Sequence, residues 1–324
     1  MKAIQCVEWG DPHKLVLAEL PLPEPAAWQV RIRIAAAGVN FPDALIVQKK
    51  YQLQPTLPFI PGTEVAGCID AVGEGVAHLK VGDRVIAFVG VGAFAEYVCA
   101  PAALAIAIPE GVSDEIAAAF TLTYATSHHA LFDRGQLKAG ETLLVLGAGG
   151  GVGLAAVELG RIAGARVIAA ASSAEKLAAA KEHGADELID YSTVDLRAAV
   201  KELTGSNGAD LIYDPVGGPG TVAAVRSLAW RGRLLIVGFA QGDIPQVPAN
   251  LLLLKGASAV GVFWGDFAKH EPKANLAMLK ELFAWLKEGK LKPHVSRVYP
   301  LAETPRALEA LLARKVIGKL VVRP

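Results

Sequence analysis

The chain has 324 residues, more than the roughly 100–200 of one domain, so two domains with separate cores are expected. Hydrophobic residues make up 52% and charged residues 20%, a balance that excludes intrinsic disorder and suits a buried sheet covered by helices. The 32 Lys and Arg offset 32 Asp and Glu, which leaves no long-range field for nucleic acid or an anionic membrane and favours a small-molecule partner.

From Met1 to about Pro109, short β-rich runs (Val30–Ile34, Glu64–Val72, Arg84–Phe88, Ala95–Val98) alternate with Gly and Pro clusters. This spacing predicts an all-β unit of hairpins and bulges. Ser113 followed by Asp114 and Glu115 predicts a helix start, with a capping side chain and then acids at the positive end of the dipole. From Thr142 the pattern becomes strand, glycine turn, helix, strand. Strands are predicted over Leu143–Leu146, Arg166–Ala170, Glu187–Ile189, Leu211–Tyr213, Arg233–Val237 and Ala259–Val262, with alanine-rich helices such as Glu175–His183 between them. Alternation at this spacing predicts a doubly wound parallel sheet, so the fold class is α/β. Beyond Gly265, five apolar residues (Leu276, Leu279, Leu282, Phe283, Leu286) share one face of a helix predicted over Pro272–Glu288 and stopped by Gly289. A shorter helix, Pro305–Arg314, and a closing strand, Lys319–Arg323, are expected to return to the first domain.

Cys6, Cys68 and Cys99 are far apart and form no C-x-x-C pair, which argues against a disulfide framework and suits a reducing cytoplasm. Lys2, Glu8, Asp11, Lys14 and Glu19 interrupt any signal-peptide core. The greasiest runs, near Ala100–Pro109 and Ala249–Gly256, fall short of the about 20 apolar residues of a membrane span.

The segment LLVLGAGGGVGLAAVELGRIAGA (143–165) puts glycines after an apolar strand and before an alanine-rich helix. A dinucleotide fingerprint needs this context, because backbone must approach a pyrophosphate and helix-start amides must point at it. Gly149, Gly150, Gly151, Val152 and Gly153 are the candidate loop residues, and Ala148 stands where the first fingerprint glycine is usual. A tight turn that needs glycine only for its backbone angles is the competing account. In RVIAAASSAEK (166–176), Ala171 replaces the acid that holds the ribose hydroxyls of NAD. Ser172, Ser173 and Lys176 offer donors and charge to a 2′-phosphate instead, so NADPH is the expected cofactor. Ser173 fits equally as a helix cap and Lys176 as a solvent-facing residue.

The stretches AAAGVNFPD (35–43), PFIPGTEVAG (58–67), VGDRV (81–85), GAFAEY (92–97), GGGVG (149–153), YDPVGG (213–218) and GKLVV (318–322) resemble the quinone oxidoreductase, or zeta-crystallin-like, branch of the medium-chain dehydrogenase/reductase superfamily. The resemblance implies a GroES-like β-rich catalytic domain (residues 1–118 completed by 265–324) and a Rossmann NADPH-binding domain (119–264). It also implies a homo-oligomer, a dimer favoured, joined through strands near Ala259–Phe263. Zinc-dependent members carry cysteine at the position of Asn40 and G-H-E at Gly62, Thr63 and Glu64. Two metal ligands are therefore missing here, and three scattered cysteines cannot form the structural zinc cluster. His128 and His129, adjacent on a helix, point in different directions and suit packing or surface.

Without a metal to polarise a carbonyl, the acceptor must already be electron-poor. A quinone or an α,β-unsaturated carbonyl compound is expected, with 2-enoyl thioesters or 2-alkenals as the alternative substrates. A cofactor-binding crystallin-like or RNA-binding role is the alternative outside catalysis, and zero net charge counts against RNA. The resemblance assigns Asn40 and Tyr51 to the catalytic cleft, although Tyr51 also fits as an ordinary loop tyrosine. It assigns Asn40, Thr126, Tyr191, Phe239, Phe263, Trp264, Gly265 and Lys319 to the cofactor. Core or subunit packing is the competing role for the aromatics, and Asp43 fits as an organiser of local backbone.

Overall fold

In the computed structural model, which describes all 324 residues, the chain begins with an antiparallel pair, β1 (Lys2–Gln5) and β2 (Val16–Glu19). The long β3 (Gln29–Val39) buries Val30, Ile32 and Ile34 while Arg31 and Arg33 turn outward, the period of two expected of a half-buried strand. After it come α1 (Phe41–Val47), β4 (Glu64–Val72), β5 (Arg84–Phe88), β6 (Tyr97–Pro101), β7 (Ala105–Ala107) and α2 (Asp114–Ala118). Ser113 caps α2 as its sequence predicts, accepting from the Ile116 amide. The sixth strand lies two residues later than predicted, because Ala95 makes only an isolated bridge to Ala3.

Helix α3 (Thr121–His128) runs into a wide π-type turn, His129–Arg134. Six strands then alternate with helices: β8 (Thr142–Leu146), α4 (Gly151–Ile162), β9 (Arg166–Ala171), α5 (Ala174–Glu182), β10 (Glu187–Asp190), α6 (Leu196–Leu203), β11 (Ala209–Asp214), α7 (Gly220–Arg226), β12 (Leu228–Ile236), α8 (Ala249–Lys255) and β13 (Ser258–Gly261). All are parallel, in the order β10-β9-β8-β11-β12-β13. Leu144, Ile168, Ile212 and Leu234 fill the middle of this sheet, and Val200 and Val225 pack on it from the helices. Next come α9 (Trp264–His270), α10 (Pro272–Lys287), β14 (Val295–Pro300), α11 (Thr304–Leu312) and β15 (Lys319–Arg323). Strand β15 inserts between β14 and β3 in a sheet ordered β14-β15-β3-β4-β5-β7, with β6 also on β3. No helix is long and apolar enough to cross a membrane.

The chain divides into two compact units, Met1–Leu122 with Pro293–Pro324, and Thr123–Lys292. Residues 265–292 therefore belong to the second unit, not to the β-rich unit as the sequence suggests. The buried stripe of α10, Met278, Leu279, Leu282, Phe283 and Leu286, reveals burial but not the partner. Other residues of the helix show what it meets: Trp285 packs on His128 and Phe132, and Glu281 Oε2 stands 3.0 Å from His128 Nε2. His129 stacks on Phe267 of α9, and burial pushes both histidines below their ordinary range. This pair is a packing element.

Candidate functional site

Strand β8 has its parallel neighbours on opposite sides, β9 and β11, so the strand order reverses at its carboxyl end. A crevice for ligands opens at such a switch point, and the glycine loop occupies it. Gly147 takes φ +59, the left-handed turn, and Ala148 is fully buried with its amide on the Ala170 carbonyl at 3.1 Å. The departure from the fingerprint at Ala148 is thus harmless, because the neighbouring glycine carries the unusual backbone angle.

The next glycines have three different duties. A Cβ built at Gly153 would stand 2.3 Å from the Gly147 carbonyl oxygen, so this glycine lets α4 close against the strand end. At Gly149 a Cβ would stand 2.5 Å from Lys176 Cβ, so the lysine stem passes directly over the loop. At Gly150 the nearest atom is 3.5 Å away, and no protein packing requires glycine there. Gly150 is also the N-cap of α4 and offers no side-chain cap. The first-turn amides, including those of Gly151 and Val152, therefore face an open cradle, which is the donor set a pyrophosphate needs.

At the end of β9, Ala171 pairs in register with Asp190. The Asp190 carboxylate is occupied by the amide and hydroxyl of Ser192 at 3.0 and 2.5 Å. Ser172 is exposed, Ser173 caps α5 by accepting from the Lys176 amide at 3.4 Å, and the Tyr191 amide bonds the Ala171 carbonyl at 3.1 Å. The four residues expected at a 2′-phosphate, Ser172, Ser173, Lys176 and Tyr191, are thus gathered at one strand end. These groups fit NADPH.

Thr126 is half-buried on α3, beside Ser127. The Ser127 hydroxyl bonds the Val152 carbonyl at 2.9 Å and stands 2.8 Å from the Tyr213 phenol, so α3 is tied to the first turn of α4. Phe239 packs where a Cβ at Gly217 would come within 2.9 Å of its ring. The Asp214 carboxylate beneath that turn accepts from the Val216 and Gly217 amides, both at 2.9 Å, and from Thr221 Oγ1 at 2.6 Å. Phe263 is 46% exposed, whereas Trp264 is 5% exposed with its indole N–H on Asn275 Oδ1 at 2.9 Å. Trp264 therefore anchors α9 to α10 through its indole. Nothing crowds Gly265, whose built Cβ would meet only the Phe263 ring at 3.7 Å.

The first unit holds the second constellation. Asn40 is the N-cap of α1 and is 4% exposed. Asp43 reaches back to its amide at 2.8 Å, half of a capping box. The Asn40 side chain turns elsewhere: Nδ2 donates to Glu64 Oε1 at 2.9 Å and Thr63 Oγ1 at 3.2 Å. Its Oδ1 accepts from Lys319. The Lys319 ammonium also donates to the Val39 carbonyl at 3.0 Å and Glu64 Oε1 at 3.1 Å, while Glu64 Oε2 accepts from the Leu122 amide at 2.9 Å. Gly38 makes room for this, since a Cβ there would stand 2.5 Å from Glu64 Oε1. Gly318, at φ +63, turns the chain into β15 so that Lys319 points inward.

Both ends of the Asn40 amide, the residue expected in the catalytic cleft, are thus engaged within the first unit. Lys319 is likewise 5% exposed and bound to a carboxylate. Zinc does not fit this cluster. A threonine and an asparagine replace two ligands, and the lysine ammonium already uses the oxygen atoms that would face a cation. Tyr51 lies in the loop after α1, half-buried against the core of the first unit. Asp43 is fully buried and its Oδ1 has no hydrogen-bond partner. Burial pushes this carboxyl up to about 7, against the opposing pull of the Asn40 amide and Lys319.

Sequence reasoning missed Glu158, a buried carboxylate on α4. Its signal was an acid inside the otherwise uncharged run GVGLAAVELG (151–160).

Residues 26–110 match the family described as "Alcohol dehydrogenase GroES-like domain", and residues 151–281 match "Zinc-binding dehydrogenase". The chain is 39% identical to the quinone oxidoreductase-like protein 2 homolog of Nematostella vectensis, covering 99% of this chain and 88% of that protein. It is 35% identical to quinone oxidoreductase of Pseudomonas aeruginosa, over 100% of this chain and 99% of that protein. Among solved structures, Escherichia coli quinone oxidoreductase complexed with NADPH superposes with a TM-score of 0.93 at 30% identity, covering 100% of both chains.

Proposed function

Because the chain belongs to the quinone oxidoreductase branch of the zinc-independent medium-chain dehydrogenases/reductases, we propose that it is an NADPH-dependent oxidoreductase acting on quinones or α,β-unsaturated carbonyl compounds. The observation that carries this reading is the open Gly150 cradle at the switch point, with Ala171 in place of the acid an NAD enzyme keeps and Ser172 and Lys176 following it. NADPH, when bound, supplies the hydride that reduces the acceptor. The α4 amides hold the pyrophosphate, and the Lys176 ammonium with the Ser172 hydroxyl neutralises and hydrogen-bonds the 2′-phosphate. Gly149 makes room for the base of the Lys176 side chain. Thr126, Phe239 and Phe263 border the nicotinamide half in this reading, and the Tyr51 phenol donates to the acceptor oxygen, whose negative charge grows during transfer.

The same reading makes the protein a homodimer. The outer edge of β13 has no neighbour within the chain, and Leu253 and Leu254 of the preceding α8 stand exposed, as does Trp230 of the neighbouring β12. An apolar edge of this kind invites pairing with a second copy.

The test is an acceptor screen with NADPH and NADH side by side. Oxidation of NADPH by quinones or enones, with kcat/KM at least about tenfold above that with NADH, is expected, since losing the 2′-phosphate contacts removes roughly 1.4 kcal/mol or more. A preference for NADH, or no oxidation with any quinone, enal or enone, would overturn the reading.

A further inference from the structure

Glu158 lies about two turns inside α4 from the cradle, and it is 5% exposed. Four hydrogen-bond approaches converge on its carboxylate. The Tyr124 phenol donates to Oε2 at 2.7 Å, His183 Nδ1 stands 2.8 Å from Oε1, and the Lys292 amide lies 3.1 Å from each oxygen. Burial, and then Glu158 itself, push the Tyr124 phenol well above its ordinary range, so it stays protonated as a donor.

The places of these partners along the chain are informative. The second unit begins at Thr123 and ends at Lys292, so Tyr124 sits in the incoming segment and Lys292 in the outgoing one. Tyr124 and Ser127 share one face of α3. One bonds Glu158 in the body of α4, and the other bonds the Val152 carbonyl in its first turn. A buried carboxylate costs several kcal/mol unless its lone pairs are satisfied, and here both chain crossings supply the donors. A glutamate in mid-helix without a stabilising task would face solvent.

We propose that Glu158 is the positioning residue of the dinucleotide site: one carboxylate registers α4, with its cradle, against both the incoming and the outgoing segment of the second unit. Glu158 touches no cofactor atom in this role. It keeps Thr126 on α3 and the amides that follow Gly150 on α4 in a fixed relation, so cofactor affinity depends on a residue remote from the phosphates. The functional half of the proposal rests on the NADPH reading above. The anchoring half does not.

Hydrogen exchange and NADPH fluorescence titration on the full chain test the two halves separately. In Glu158→Gln, the amide acceptor cannot satisfy the donors that the carboxylate did. Exchange in residues 289–293 should rise about tenfold or more while the β8 segment 142–146 keeps its protection. The NADPH Kd should rise roughly three- to tenfold. Tyr124→Phe keeps the carboxylate and should still raise exchange in 289–293 as well as in 121–126, because the two segments share one anchor; a merely local packing role would leave 289–293 unmoved. Wild-type exchange in 289–293 of Glu158→Gln, equal loss of protection in β8, or altered exchange with an unchanged Kd would overturn the proposal. If Glu158→Gln does not fold, Tyr124→Phe decides alone. If the unaltered chain binds no NADPH, the cofactor reading fails while the exchange data still decide the anchor.

Discussion

At the scale of the residue, the glycines of the loop separate folding from binding. Gly150→Ala meets only an atom 3.5 Å away and should cost no more than about 1 kcal/mol of stability, since alanine is merely a poorer N-cap than glycine. It should nevertheless weaken NADPH binding strongly, which a fluorescence titration measures. Gly153→Ala places a Cβ 2.3 Å from a backbone oxygen and should lose about 1–3 kcal/mol in urea unfolding. Asp43 gives a second test. Its carboxyl is raised from 3.8 to about 7 in the folded chain, so between those values the native state holds a proton that the unfolded state has released. Stability therefore falls as pH rises from about 4 to about 7, by up to about 1.4 kcal/mol per pH unit. Asp43→Asn should flatten that slope in urea titrations across this range, and an unchanged slope would refute the assignment. The glycine pattern was legible because it depends on chain-local spacing, and the mismatch at Ala148 was visible too. That Lys176 passes over Gly149, or that Asn40 spends its amide on Glu64 and Lys319, could not be read. Those facts depend on which distant elements meet.

Elements were legible in proportion to their periodicity. The parallel strands and α10 appeared within a residue or two of their predicted bounds, apart from β12, which begins at Leu228 instead of Arg233. Arg231 there takes φ 60 and the register with β11 shifts, an irregularity that hides the strand's first half. The apolar stripe of α10 announced burial, but assigning the helix to a unit required knowing that its Trp285 meets His128 and Phe132 and its Asn275 meets Trp264. Strand β13 carries the element-scale prediction. Leu253→Lys combined with Leu254→Lys places two charges on an exposed part of α8 and removes no buried contact. If this face joins two copies, the variant should sediment as a monomer with an unchanged thermal midpoint for the second unit's sheet, whereas the parent chain sediments as a dimer. A monomeric parent would refute the homodimer.

For the whole molecule, the two units differ in how they are encoded. Thr123–Lys292 is continuous and contains the complete β10-β9-β8-β11-β12-β13 sheet. Expressed alone, it should unfold cooperatively and retain NADPH binding, as circular dichroism and titration would show. The other unit is assembled from both ends of the chain, and residues 1–122 alone should fail the same unfolding test. Without β15, β3 loses a neighbour, and Glu64 loses the ammonium beside it; an uncompensated buried carboxylate costs about 3–5 kcal/mol. The bond from Lys319 to the Val39 carbonyl spans 280 residues, and this has a meaning in time as well as in space. On a ribosome adding about 5–20 residues per second, roughly 15–55 seconds separate the emergence of those two partners. The half of the protein translated first is therefore the last to be finished, and through that interval the nascent Glu64 remains hydrated, waiting for its counterion while the later-made half can already have folded.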